Sequence, residues 1–480
     1  TKKTLNEFEW YANEVVGCNT VNRAPLETQN FNSNDIGDTE IFVRELAQNA
    51  LDAKALSSNK PVEIKIKYVD ISRENRDAYN QIFSRKIRGW LEESGDKGKE
   101  QDSNLKAIVI SDFGTTGLGG DINGPNSNWY KYFHTVGSGN TSSKPNANGS
   151  ANEGKIAIWA FSKFRIVLGM TKLPGDQVRM QGKCTLSRSH HIGDGKYREC
   201  DVFFRKKNGN WDLTSSEIKE IENIFDLQHR EDFDFGSDFI LIESIEFEKD
   251  KIISAILKNW SIPIAEGKLI FYIDNTIINK EKINYLLDSN SSKLGKIDLP
   301  FVKFCLDARS SNNTTKYKLK RDLNDIHLSR SLNIDMFENY INNTQLLEEL
   351  NSGRIIEIEY QPKIKYKTQS NMDDRFSVFI AKKKKELDSQ LGSQCILMRK
   401  EQILWNEVKR ISQAASLRDD LFVLVYAKSP RICELLTLFE EPSHLNFKQK
   451  KPNFDSPEVP FVKTPSINIL RLFLDSANKA

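Results

Sequence analysis

Long apolar segments, paired cysteines and a large net charge are all missing from this 480-residue sequence. No stretch approaches the ~18 apolar residues that a membrane-spanning helix needs, so we expect no membrane partner. The six cysteines are dispersed, without a CxxC pair or a His/Cys spacing typical of zinc sites, which favours a reducing, cytoplasmic location. A net charge of +3 gives no support for nucleic-acid binding by the chain as a whole.

The length exceeds what one hydrophobic core usually organises, so two or three domains are expected. The order of predicted helices and strands favours an α+β fold for residues 1–285, with a mixed sheet covered by helices on one face. Residues 286–470 alternate strands and helices and predict a second, α/β domain. Because the sequence begins without Met and ends in an apolar helical segment, we expect residues 471–480 to start a further segment of a longer protein.

The most informative helix is predicted from Ile41 to Ala53, where good helix formers follow Asp38, a suitable N-cap. On this helix Glu45, Asn49 and Asp52 occupy positions i, i+4 and i+7 and therefore share one stripe of the surface. An ordinary amphipathic surface helix shows the same kind of stripe. The helix alone therefore does not distinguish a functional site from a structural element.

A second segment combines a buried strand with a glycine-rich turn. The apolar run from Ala107 to Ile110 predicts a strand that leads into Asp112, and Gly114 and Gly117 follow. A carboxylate and an amide on a helix, facing an aspartate at the end of a strand, suit a magnesium nucleotide.

Two common phosphate-binding motifs are matched only in part. Gly149, Gly154 and Lys155 fit the GxxxxGK of a P-loop, but Ile156 stands where Ser or Thr should bind magnesium, and a polar loop replaces the preceding strand. The Asp-Phe-Gly tripeptide at 112–114 is also found in protein kinases, yet neither an HRD loop nor a VAIK strand precedes it. We therefore exclude both interpretations.

Three motifs, which follow one another at 45–53, 112–117 and 149–155, resemble those of the GHKL (Bergerat-fold) ATPase superfamily. The resemblance is closest to MORC-like and heat-shock-protein-90-like ATPases of bacterial defence type. The third motif departs from the MORC-like pattern, because Asn152 stands where a glycine is expected. The resemblance implies a Bergerat-fold α/β sandwich followed by an α/β transducer-like domain. The matching residues are Glu45, Asn49, Ala50, Asp52 and Ala53 of ExxxNAxDA, Asp112, Gly114 and Gly117 of DxGxxG, and Gly149, Ser150, Gly154 and Lys155 of the glycine-rich third motif.

The resemblance also implies ATP and Mg²⁺ as cofactors. On the adenine side, Asp112 would accept a hydrogen bond from the amino group, and Gly114 and Gly117 would let the backbone approach the base and sugar. Ser237, after Gly236, resembles the family's Gly-Thr/Ser turn that helps to hold adenine through water. An ordinary turn before a strand is an equally good interpretation of that pair.

On the phosphate side, the resemblance assigns the metal to Asn49 and the catalytic role to Glu45, which would orient and deprotonate the attacking water. Asp52 would support the site. Gly154 and Lys155, at the start of the next helix, would hold phosphate together with Gly149 and Ser150.

A transducer domain in this superfamily supplies a basic residue to the γ-phosphate, and Arg399 or Lys400 is a candidate. We therefore expect an ATPase that acts as an ATP-gated homodimeric clamp, in DNA transactions or antiviral defence, with DNA or an effector protein as partner. The alternatives are a chaperone similar to heat-shock protein 90 and a nucleotide sensor that does not hydrolyse ATP.

Overall fold

The computed structural model describes residues 4–15, 38–55, 59–96, 103–135, 154–175, 177–188, 190–192, 196–245, 248–294, 297–319, 336–338, 342–383, 393–404, 421–440, 447, 452–457 and 459–479. The described residues form two compact units. Unit 1 comprises those within 1–138, 152–253 and 268–279, and unit 2 those within 254–267 and 280–480. None of the helices in the described ranges has the length and apolarity needed to cross a membrane.

Unit 1 starts with a short 3-10 helix and combines strands with helices. The strands are β1 (Phe8–Glu14), β2 (Val62–Asp70), β3 (Lys106–Phe113), β4 (Ile166–Lys172), β5 (Val178–Thr185), β6 (His190–Ile192), β7 (Lys196–Lys206), β8 (Gly236–Ile242), β9 (Leu269–Ile273) and β10 (Thr276–Ile278). The helices are α1 (Asp38–Asp52), α2 (Arg76–Ile82), α3 (Arg85–Glu93), α4 (Asn128–His134), α5 (Gly154–Trp159), α6 (Ser215–Phe225) and α7 (Lys249–Ala265), whose residues from 254 onward belong to unit 2.

The strands of unit 1 form one mixed sheet in the order β1-β7-β5-β4-β8-β3-β2-β9-β10, with β6 paired to β7. Neighbours are antiparallel except β2 and β9, which run parallel. β3 lies near the centre, and this explains its almost continuously apolar sequence. The predicted strand at 107–110 is confirmed as part of β3, and the predicted helix at 41–53 is confirmed as part of α1 up to Asp52, with Ala53 directly after it.

Helices cover both faces of this sheet, so the prediction of helices on one face was wrong. Residues of α2, α3 and α6 share a hydrophobic cluster with Val109, Leu168 and Ile240. Side chains alternate along a strand, so the neighbouring Phe239 lies on the opposite face, where Tyr132 of α4 stacks on it with ring centroids 4.7 Å apart. The sequence pattern of a central strand is apolar on both faces and does not reveal which helices cover each one.

Unit 2 has its own sheet and helices. Its strands are β11 (Thr314–Lys318), β12 (Ile355–Tyr360), β13 (Lys363–Ile364), β14 (Met372–Asp373), β15 (Phe376–Lys382), β16 (Gln394–Arg399), β17 (Gln402–Leu404) and β18 (Leu421–Ala427). Its helices are α8 (Ile283–Ser289), α9 (Ser291–Leu294), α10 (Leu299–Ser310), α11 (Asn343–Asn351), α12 (Pro430–Thr437) and α13 (Lys463–Lys479).

The larger sheet of unit 2 has the order β11-β12-β15-β18-β16-β17, and β13 pairs with β14 separately. Helix α13 packs on one face, where Phe473 meets Phe376 edge to face with centroids 5.3 Å apart. Helix α10 packs on the other, where Phe301 lies 5.5 Å from Phe422 of β18. The chain is thus a mixed α/β protein, and residues 471–479 lie within α13.

Candidate nucleotide-binding site

The end of α1 is joined to the turn after β3 by two main-chain hydrogen bonds. The N–H of Ala55 donates to the carbonyl of Gly114 over 3.1 Å, and the N–H of Thr116 donates to the carbonyl of Ala53 over 2.8 Å. Gly114 and Gly117 have φ values of +75° and +62°, which few residues other than glycine adopt. The first two motifs of the sequence therefore meet in space.

The polar residues of α1 differ in exposure. Glu45 is 3% exposed, whereas Asn49, one turn later, is exposed and Asp52 is half-buried. Ala53 is half-buried directly after the helix. The predicted stripe thus runs from a buried carboxylate to an exposed amide.

Asp112 occupies the penultimate position of β3, and one of its carboxylate oxygens is held by two donors. Oδ1 accepts a hydrogen bond from the hydroxyl of Thr115 and one from the N–H of Ser237 at 3.2 Å. Among the described residues, none donates a hydrogen bond to Oδ2. Burial raises the pKa of Asp112 more than the Arg230 guanidinium and the two hydrogen bonds lower it, and the resulting pKa is about 6. The carboxyl is therefore mostly ionised at neutral pH and becomes neutral in mild acid.

Two hydroxyl side chains, Thr171 of β4 and Ser237 of β8, lie next to each other on these adjacent strands. Thr171 Oγ1 lies 3.1 Å from Ser237 Oγ and accepts a hydrogen bond from the N–H of Leu118 at 2.9 Å. A Cβ at Gly117 would lie 2.5 Å from that same Oγ1. Glycine at 117 is therefore required for the turn to pack against β4. Ser237 lies beside Asp112, and its main-chain N–H donates to Asp112 Oδ1.

Arg230 is the main residue of this region that sequence reasoning missed. Its guanidinium makes an ion pair with Asp238 and donates to the main-chain carbonyls of Asp112 and Ser237. Nothing local in the polar segment before β8 marks this arginine. Thr115 was also missed, although its position gives a local signal, because it directly follows Gly114, the first glycine of the second motif.

The third motif is described only in part. Gly149, Ser150 and Asn152 lie outside the described residues, and Gly154 is the first residue of α5. Lys155 is 5% exposed, and its ammonium donates to main-chain carbonyls at the end of α4, including that of Tyr132 at 2.8 Å. In this structure Lys155 thus stabilises the C-terminus of a neighbouring helix, where a cation is favoured.

The two basic residues proposed for a γ-phosphate contact lie in unit 2. Arg399 is completely buried and forms an ion pair with Glu440, which is also buried, and donates to Gln402 at 3.1 Å. Lys400 is half-buried with a φ of +52°. The side chain of Arg399 is therefore engaged within the core of its own unit.

No protein-family model and no curated protein matches this chain. It is similar to the ATPase region of Saccharomyces cerevisiae topoisomerase II bound to ICRF-187 (dexrazoxane), with 12% identity and a TM-score of 0.32 over 91% of this chain and 84% of that one. A second structure of the same ATPase region gives 12% identity and a TM-score of 0.31 over 92% and 85%.

Proposed function

We propose that this chain binds Mg-ATP and hydrolyses it in the manner of GHKL ATPases. The observation that carries the proposal is the carboxylate of Asp112. Thr115 and Ser237 fix Oδ1, which leaves Oδ2 to accept a hydrogen bond from the amino group of adenine. Guanine presents a carbonyl at the equivalent position, so the same carboxylate disfavours GTP.

Helix α1 would provide the phosphate side of the site. Asn49 is exposed, and its side-chain oxygen would hold Mg²⁺. Asn49 is the proposed protein ligand of the metal. When bound, Mg²⁺ would neutralise negative charge on the phosphates of the nucleotide. Glu45 orients the attacking water and accepts its proton.

The proposed biological activity is that of an ATP-gated homodimeric clamp, in DNA transactions or antiviral defence, with DNA or an effector protein as partner. A chaperone similar to heat-shock protein 90 is the alternative among hydrolysing proteins. Arg399 and Lys400 stay the candidates for a γ-phosphate contact, and the side chain of Arg399 is engaged with Glu440.

One observation favours a second function, that of a nucleotide sensor without turnover. The ammonium of Lys155 is already engaged with the carbonyls at the end of α4. A lysine held in that way does not contribute to phosphate binding unless it changes partners. Such a protein would bind ATP through Asp112 and signal its presence to an effector.

The test is ATP binding and hydrolysis by the wild type and by Glu45→Ala, with Mg²⁺, in the presence and absence of duplex DNA. We expect both proteins to bind ATP and only the wild type to turn it over, because Glu45 acts on water and not on the base. Stimulation by DNA supports the clamp. Binding without turnover in both proteins supports the sensor, and absence of ATP binding by the wild type refutes the proposed function.

A further inference from the structure

The strands that carry Asp112 and Ser237 separate at the candidate site. The β3–β8 ladder ends with the pair Ser111 and Asp238. One residue further on, the carbonyls of Asp112 and Ser237 both accept hydrogen bonds from Arg230, from Nη1 at 2.9 Å and from Nη2 at 2.8 Å. The guanidinium therefore spans the opening where the ladder stops.

Arg230 is itself held rigidly. Nε and Nη2 form a two-pronged ion pair with the carboxylate of Asp238 at 2.8 and 2.9 Å, and the guanidinium carbon lies 4.2 Å from the centre of the Phe113 ring. The residue is 6% exposed. The ammonium of Lys172 donates to the main-chain carbonyl of Arg230 at 3.0 Å. Both the main chain and the side chain of Arg230 are thus anchored.

The position of Arg230 shows how it acts. Along β3 and β8, Phe113 and Asp238 lie on one face of the sheet, and Asp112 and Ser237 lie on the other. Arg230 packs with the first pair, whereas the Oδ2 proposed to bind the base belongs to the second. The arginine therefore reaches the site through main-chain atoms and through its charge.

The space around Asp112 leaves little freedom for any other arrangement. A Cβ at Gly236 would lie 2.2 Å from the carbonyl oxygen of Asp112 and 2.8 Å from both its Oδ1 and Arg230 Nη1. Only the absence of a side chain at this position lets the three groups meet. The carboxylate, the glycine and the guanidinium form one close-packed unit.

We infer that Arg230 is a positioning residue that holds the Asp112 carboxylate ionised and oriented for the nucleobase. This inference rests on the proposed function. Among the described residues, the charged groups that act most strongly on Asp112 are Arg230 and Asp238, and Asp112 in turn raises the pKa of Tyr132 on α4. Burial raises the pKa of Tyr132 far above neutrality, so its phenol stays uncharged. Of these groups, only Arg230 lowers the pKa of Asp112.

The hydrogen bonds to Oδ1 also determine which oxygen of Asp112 carries the proton when the carboxyl is neutral. Because Oδ1 accepts two hydrogen bonds, a proton added to the carboxyl would be carried by Oδ2. Oδ2 would then be a donor facing the amino group of adenine, which is a donor as well. Loss of the Arg230 charge would therefore weaken binding most strongly at low pH and least at high pH.

The experiment is calorimetric titration of ATP into the wild type, Arg230→Gln and Arg230→Lys between about pH 5 and pH 9. We expect Arg230→Gln to weaken binding at least about threefold at neutral pH and to move the midpoint of the pH profile upward. Arg230→Lys keeps the charge but cannot span both carbonyls. Its midpoint should stay near that of the wild type while its affinity falls at every pH.

Arg165→Gln is the matched control, because Arg165 also makes an ion pair in unit 1, with Asp96, and lies immediately before β4 at the end away from Thr171. It should leave the ATP profile unchanged. An unchanged profile in Arg230→Gln overturns the inference, and so does a loss of affinity that is equal at all pH values. If Arg230→Gln does not fold, Arg230→Lys carries the test, and wild-type affinity in that variant overturns the inference. Failure of the wild type to bind ATP at any pH refutes the proposed function itself.

Discussion

The main-chain N–H of Ser237 donates to Oδ1 of Asp112 across 3.2 Å and ties the start of β8 to the end of β3. Because the bond comes from the main chain, it does not depend on which side chain stands at position 237. It fixes the plane of the carboxylate before any ligand arrives. Preorganisation of this kind lowers the entropic cost of binding.

Asp112→Asn should abolish ATP binding but stabilise the fold at neutral pH. The pKa of Asp112 is about 6 in the folded protein and 3.8 ordinarily, so the ionised carboxyl disfavours folding. The stability that this group contributes is complete below its ordinary pKa and is lost as the pH rises through about 6. We therefore expect the melting temperature of the variant to exceed that of the wild type by more at pH 8 than at pH 5. A difference independent of pH would contradict the assignment.

Gly236→Ala should lower the free energy of unfolding by about 1–3 kcal/mol and weaken ATP binding. Gly236 has a φ of +149°, and a Cβ there would lie 2.2 Å from the carbonyl oxygen of Asp112. Gly209→Ala is the matched control, since Gly209 also has a positive φ, +74°, but nothing within 4 Å of the added carbon. Denaturant titration of both variants measures the difference. Equal effects would show that backbone strain alone matters.

Lys155→Met should lower stability by about 1–3 kcal/mol even without nucleotide, because the carbonyls at the end of α4 lose a charged donor. Lys219→Met, on the exposed face of α6, is the control and should change stability little. Thermal melts with and without ATP separate the two roles of Lys155. A variant that melts like the wild type without ATP and binds ATP poorly would favour a phosphate contact.

Arg399→Met should destabilise the protein by about 3–5 kcal/mol, since it leaves the carboxylate of Glu440 buried without its cation. The double variant Arg399→Met with Glu440→Leu removes both charges and should recover much of that loss. Chemical denaturation of the single and double variants measures the coupling. Additive losses would show that the two residues do not stabilise one another.

The sequence predicted the elements of the site better than their surroundings. The helix with Glu45 and the strand leading into Asp112 were predictable because helical spacing and a buried apolar run are local signals. Gly236 and Ser237 were singled out by their resemblance to a family turn, but nothing in the pair indicated that Ser237 lies beside Asp112. The helical spacing and the apolar run are each encoded within a few consecutive residues.

The rest depends on contacts between distant parts of the chain. Arg230 contacts Asp112, which lies 118 residues away in the sequence. This contact depends on the point at which the pairing of β3 with β8 ends. The same limit applies to Arg399, whose partner Glu440 is 41 residues away. A basic residue in a sequence does not reveal whether it faces a ligand or an acidic residue of its own core.

The two main-chain hydrogen bonds between α1 and the turn after β3 have a thermodynamic consequence. They link the residues directly after the helix that carries Glu45 to the turn after Asp112. Whatever free energy a bound base contributes to ordering the turn is shared with the helix, and by reciprocity a contact that orders the helix tightens the hold on the base. Binding of the base near Asp112 and ordering of the helix that carries Glu45 would thus be thermodynamically coupled.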